Sequence, residues 1–172
     1  MTVDRTSPLA GFDGVFDGVT GPRLQVREIP FLRQTNLRVD PARVPASLGV
    51  RLPLEPGTWL RSEEADVVWL GPDEWLVIGE APLSRSEEVA VTDVSAQRTT
   101  IMVAGPGARD LLAHGCALDL HPSVFGPGRC AQTMLARAHV VLIAGEEEFR
   151  VLVRASYARY LAAWLVDAAV DY

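Results

Sequence analysis

Two apolar runs separated by four turn-forming residues constrain this chain more than any other feature. Val67-Val68-Trp69-Leu70 and Trp75-Leu76-Val77-Ile78 flank Gly71-Pro72-Asp73-Glu74. Pro72 presets the first central φ of a type I turn and Asp73 suits the next position. The segment therefore predicts a β-hairpin. Further strands are expected at Leu24–Ile29, which stops at Pro30, at the more polar Phe31–Val39, and at Val89–Val94 and Thr99–Ala104. Three more follow at Cys130–Ala136, His139–Ala144 and Phe149–Val153. Between them, Pro41, Pro45, Pro53 and Pro56 forbid long regular structure, because each lacks an amide proton and restricts its predecessor. Two helices are predicted. A short one opens at Gly105-Pro106 and runs through Leu111 and Leu112, its proline placed where a missing amide costs nothing. The other spans Tyr157 to about Ala168, with Ser156 as N-cap and Tyr157, Tyr160, Leu161, Trp164, Leu165 and Ala168 as an apolar stripe. Strands outnumber helices and hairpin-like steps dominate, which predicts an α+β fold of mainly antiparallel sheets with a few covering helices.

Composition narrows the function classes. At 172 residues, with 48% hydrophobic and 22% charged residues, the chain can build one well-filled core and is not disordered. A net charge of -6 repels phosphate backbones and argues against nucleic-acid binding. No apolar run approaches the roughly 20 residues that span a bilayer; the longest, from Ala138 to Gly145, is strand-sized. The N-terminus has neither the basic start nor the apolar stretch of a signal peptide. Cys116 and Cys130 make no disulfide framework and read as reduced thiols in a cytoplasmic protein. Residues 1–22, with the tandem Phe12-Asp13-Gly14-Val15 and Phe16-Asp17-Gly18-Val19, read as an extended arm. A single domain is expected over residues 23–172.

Each residue group that carries possible chemistry has a plainer structural reading. Gly105-Pro106-Gly107-Ala108-Arg109-Asp110 mimics the start of a dinucleotide fingerprint. Asp110 stands where the third glycine belongs, and Pro106 removes an amide from the anion site, so a strand-to-helix turn is expected. His114, Cys116, His121 and Cys130 have metal-ligand identities but lack the tight pairs of zinc sites. Buried thiols and loop histidines are the expectation. Ser95 with Asp93 has no nucleophile elbow around it and reads as a backbone-binding pair at a strand end. Glu146, Glu147 and Glu148 read as a solvated turn, since nothing desolvates or separates them. Trp59, Trp69, Trp75 and Trp164 read as core, with a shared partner surface as the alternative. No catalytic, cofactor-binding or metal-binding residue is expected on this chain.

Longer ordered strings carry a resemblance. Ser7-Pro8-Leu9, Asn36-Leu37-Arg38, Trp69 to Leu76, Asp93 to Thr100, Gly105 to Leu112, Gly115 to Pro122, Pro127 to Thr133 and Tyr160 to Leu165 together resemble the gamma-subunit family of heterotetrameric sarcosine oxidase. The resemblance covers nearly the whole chain. It implies a non-catalytic structural subunit assembled with alpha, beta and delta subunits. Such a complex oxidatively demethylates sarcosine to glycine, with hydrogen peroxide and formaldehyde or methylenetetrahydrofolate as products. It also implies that FAD, FMN, NAD, zinc and tetrahydrofolate belong to the partner subunits. The implied fold is similar to the folate-binding domain of aminomethyltransferases, with ferredoxin-like halves. In that wider family an aspartate after a glycine-rich turn serves the folate chemistry. The matching stretch here, Ala136-Arg137-Ala138-His139-Val140-Val141, has no carboxylate, which favours a scaffold role. A free-standing folate-dependent one-carbon protein and a homo-oligomeric interaction module are the competing readings. On the subunit reading, the phenylalanines of the arm predict a segment that is mobile in the free chain and ordered against another subunit.

Overall fold

The structure, a computed structural model, describes residues 5–12, 14–170 and 172. Ten strands follow in chain order: β1 (Gln25–Ile29), β2 (Gln34–Val39), β3 (Trp59–Arg61), β4 (Ala65–Gly71), β5 (Glu74–Gly79), β6 (Val89–Asp93), β7 (Arg98–Ala104), β8 (Cys130–Leu135), β9 (Ala138–Ala144) and β10 (Glu148–Arg154). The helices are α1 (Ala108–Ala113) and α2 (Ala158–Ala168). The strands form two five-stranded antiparallel sheets, ordered β1-β7-β10-β9-β8 and β3-β4-β5-β2-β6. The α+β expectation holds.

The alternation of side chains along each strand assigns the layers. Val26, Ile101, Val103, Val140, Leu142, Val151 and Val153 of the first sheet pack against Leu111 and Leu112 of α1 and Leu161 and Leu165 of α2. The opposite face of that sheet, with Cys130, Val141, Ile143 and Leu152, meets Trp59, Val68, Leu70, Leu76 and Ile78 of the second sheet. The outer face of the second sheet, with Leu37, Val39, Val67, Trp75 and Val77, is closed by Leu48, with Val50, Leu52, Ala81 and Leu83 packed alongside. The proline-rich connection thus serves as a fourth layer.

The β4–β5 hairpin forms as expected, with Trp69 opposite Trp75 and a register shift before Gly71 pairs with Glu74. Strand β3 escapes the sequence because three residues between Pro56 and Ser62 give almost no pattern to read. At α2 the expected N-cap is corrected. The chain passes through a short 3-10 turn at Ala155–Tyr157, and no side-chain cap bond forms. The expected stripe is also rotated. Ala158, Leu161, Ala162 and Leu165 are the buried face, while Tyr157 and Tyr160 are exposed. Small alanines let the helix lie close on the sheet, which bulky tyrosines at the same positions would prevent.

Among the described residues from 5 onward, the N-terminal segment is turned rather than extended. Successive turns close it through backbone bonds from Ala10 N to Ser7 O, Phe12 N to Leu9 O, Val15 N to Phe12 O and Val19 N to Phe16 O. Leu9 and Phe16 are buried in the helix-side core, with Phe12, Val15 and Val19 packed against it. Arg159 of α2 clamps the segment, donating to Pro8 O and Ala10 O with its guanidinium over the Phe12 ring. The missed signal is the three-to-four-residue spacing of Leu9, Phe12, Phe16 and Val19, which aligns apolar side chains on one side of a turning backbone. Asp13 lies outside the described residues.

Candidate functional site

The two sheets part at the end of the sandwich where β1 turns into β2 and β6 leads into β7. A cavity of about 360 Å³ lies there, roofed by residues 5–8 of the N-terminal segment. Its floor includes Gln34 and Thr100, both almost fully buried. Gln34 Nε2 donates to Arg98 O at 3.0 Å, tying the second sheet to the first. Its Oε1 and the Thr100 hydroxyl are buried with no hydrogen-bond partner among the described residues. Apolar walls come from Pro8, Ile29, Leu32 and Phe31. Phe31 is 54% exposed and sits at φ 58, a left-handed conformation uncommon for a bulky residue. On one wall Ser7 Oγ donates to Glu28 Oε1 at 2.5 Å.

Ser95 and Asp93 line the same cavity, and their bonds show their use. Ser95 Oγ accepts from Gln34 N at 3.0 Å and donates to Gln34 O at 3.3 Å. Asp93 Oδ1 accepts from Ser95 N at 2.8 Å, and that backbone bond holds the Asp93 carboxyl below its ordinary range. The pair staples β2 to the β6–β7 connection. Among the described residues the lining holds no histidine and no cysteine, and its carboxylates, Asp93 and Glu28, are engaged with Ser95 and with the Ser7 hydroxyl.

The remaining candidates are scattered. Cys116 lies in the helix-side core and Cys130 between the sheets, on opposite faces of the first sheet. Both are free and buried. His121 Nδ1 contacts Ser123 Oγ at 2.7 Å in an exposed turn. Among the described residues no three of His, Cys, Asp and Glu gather as metal ligands. At Gly105-Pro106-Gly107, Gly107 N already donates to Arg23 O at 2.9 Å and α1 has six residues. Arg109 is spent on Leu120 O and Phe125 O, with its guanidinium 4.8 Å from the Phe149 ring centroid. This geometry does not fit a dinucleotide phosphate. Glu146 and Glu147 form the β9–β10 turn and Glu148 opens β10, with Gly145 N donating to Glu148 O. Trp59 and Trp75 are buried, and their indole N–H groups donate to Ala144 O and Pro53 O, while Trp69 and Trp164 are partly buried against the cores.

Sequence reasoning missed two features. Arg150 is 6% exposed in the core, with Nη1 2.7 Å from Asp66 Oδ2. The guanidiniums of Arg150 and Arg61 each lie 5.1 Å from the Trp59 ring centroid. The second is a row of cationic side chains at the open end of the sandwich. Arg98 and Arg154 are directly opposed on β7 and β10. Desolvation of Arg98, together with the like charge of Arg154, lowers its pKa from the usual value, and Glu74 only partly offsets this. Neither feature leaves a local mark, because each joins strands remote in sequence.

The fold defines an α+β scaffold of two packed antiparallel sheets, with a cavity of about 360 Å³ where they part. Residues 38–171 match the model of the sarcosine oxidase, gamma subunit family, and this chain belongs to that family. It is 35% identical to sarcosine oxidase subunit gamma of Corynebacterium sp. (strain U-96), over 98% of this chain and 91% of that relative. Identity to the corresponding subunit of Corynebacterium sp. (strain P-1) is 33%, over 93% and 87%. The solved heterotetrameric sarcosine oxidase from Corynebacterium sp. U-96, in complex with pyrrole 2-carboxylate, contains a chain that superposes with a TM-score of 0.88. That match has 33% identity over 97% of this chain and 95% of the other. The glycine cleavage system aminomethyltransferase T from Bartonella henselae shares the fold, at a TM-score of 0.57 and 18% identity over 94% of this chain and 50% of that enzyme.

Proposed function

We propose that this chain is the non-catalytic gamma subunit of a heterotetrameric sarcosine oxidase, working in the cytoplasm beside alpha, beta and delta subunits. The complex would demethylate sarcosine oxidatively to glycine. Flavin, NAD, zinc and tetrahydrofolate chemistry would reside on the partner subunits. The supporting observation is the end-to-end structural match, at 33% identity, to a chain of a heterotetrameric enzyme of that name. The chain's own geometry is compatible with this: Ser95 is tied to Gln34, the two thiols lie on opposite faces of a sheet, and Gly107 N is engaged.

At the β8–β9 turn, Ala136 and Arg137 stand where the aminomethyltransferase resemblance calls for a glycine-rich turn and an aspartate. Arg137 N donates to Tyr160 Oη there. Co-expression with candidate alpha, beta and delta subunits is the test. Sarcosine-dependent peroxide formation by a complex containing this chain, with assembly lost when it is omitted, is the expected outcome. Stoichiometric folate binding with one-carbon transfer by the purified chain alone would replace this reading with the free-standing enzyme.

A further inference from the structure

A single row of side chains crosses the open end of the first sheet. Arg98 pairs with Arg154 in register between β7 and β10. One step beyond the Val153–Val140 pair, Arg154 faces His139, and His139 pairs with Met134 of the edge strand β8. Directly opposed residues on neighbouring strands share a face, and these belong to the face that meets the second sheet. Arg154, His139 and Met134 are exposed there and Arg98 is half-buried, and the row lines a groove with Gln132, Val140 and Val141. None of the described residues lining the groove is acidic, in a chain with 22 acidic and 16 basic residues. Like charges directly opposed across a ladder are destabilising. The side-chain bond of Arg98 runs to the neutral Gln97 Oε1 at 2.5 Å, and the nearby Glu74 offsets its desolvation and the like charge of Arg154 only in part. Exposed apolar residues stand at the two ends, Met134 at 38% and Phe31 in the turn beside Arg98 at 54%.

We propose that this groove docks an extended acidic segment of a partner subunit, its carboxylates on Arg98, Arg154 and His139 and its apolar flanks on Met134 and Phe31. The proposal rests on the assembly role argued above and adds the surface that serves it. Four strands at about 4.8 Å spacing give a row of roughly 14 Å, the span of about four extended residues. That is too long for one phosphate or carboxylate ion. Arginine pairs suit carboxylates because the guanidinium fork binds two oxygens at once.

The test uses the full chain co-expressed with its partner subunits. Arg154→Glu should weaken association at least tenfold at low salt, and Arg154→Gln should weaken it less. Wild-type association should fall as salt rises. The isolated Arg154→Gln chain should melt no lower than wild type, because a like-charge contact is removed. His139→Glu, at an exposed position, gives an independent second variant if Arg154→Glu fails to fold. Unchanged affinity in folded Arg154→Glu or His139→Glu overturns the proposal while leaving the subunit assignment standing. Stoichiometric binding of inorganic phosphate to the free chain, abolished by Arg154→Glu without effect on assembly, also overturns it and makes the groove a small-anion site. Failure of the wild-type chain to join any complex sinks the subunit reading itself.

Discussion

At Cys130 the thiol lies between the two sheets, with Sγ 3.2 Å from Thr58 O, and desolvation raises its pKa from 9.0 to about 11. The folded state therefore holds this proton more tightly than the unfolded state. The resulting stability is complete below pH 9 and is lost as pH climbs through about 11, a contribution of roughly 2 kcal/mol. The 16 basic residues are all arginine, so no lysine titration overlaps this window. Urea unfolding at pH 8 and pH 10.5 should show a larger stability drop in wild type than in Cys130→Val; equal drops would contradict it. The Asp66–Arg150 pair is a second residue-scale case. Asp66→Ala strands a buried guanidinium whose Nη2 already has no partner among the described residues, and should cost about 3–5 kcal/mol in urea unfolding. Asp66→Leu combined with Arg150→Met should recover most of that loss, because two buried charges leave together. Nothing in the local sequence announces this pair, since its members stand on β4 and β10.

Among the elements, the β8–β9 hairpin carries a readable tension. Ala136 sits at φ 51 in a two-residue turn, a conformation that costs a residue with a Cβ about 1 kcal/mol. Its amide is fixed by Gly115 O at 2.9 Å, so the backbone is not at liberty to relax. Ala136→Gly should raise the urea midpoint by the equivalent of about 0.5–1 kcal/mol, reduced by the entropy that glycine brings to the unfolded chain. A lower midpoint would show that the Ala136 methyl contributes more than its dihedral costs. The hairpins themselves are legible from alternation and turn chemistry, as at Gly71-Pro72-Asp73-Glu74. The face of α2 is less so. Aromatic residues and alanines recur at nearly the same spacing, and only the close approach to the sheet selects Ala158 and Ala162 over Tyr157 and Tyr160.

For the whole molecule, the N-terminal segment is the plainest consequence of packing. Burial of Leu9 and Phe16 contributes roughly 3–6 kcal/mol together. Deleting residues 1–20 should lower the melting midpoint of the isolated chain by about 10 °C in calorimetry. A shift under 2 °C would mean that the segment does not hold its own core. The sequence by itself determined nine of the ten strands, the hairpins and the α+β class, because each is written in near-neighbour periodicity and turn residues. Its ordered strings also carried the family resemblance. Tertiary structure alone decided that the strands divide into two sheets, that the proline-rich connection covers the outer one, and that Gln34, Ser95 and Thr100 converge on one cavity. It likewise decided that Arg98, Arg154 and His139 fall in a row. The physical reason is common to all of these. Which strands pair is set by burial of faces between residues tens of positions apart, and side-chain alternation tells a residue its face without telling it its neighbour.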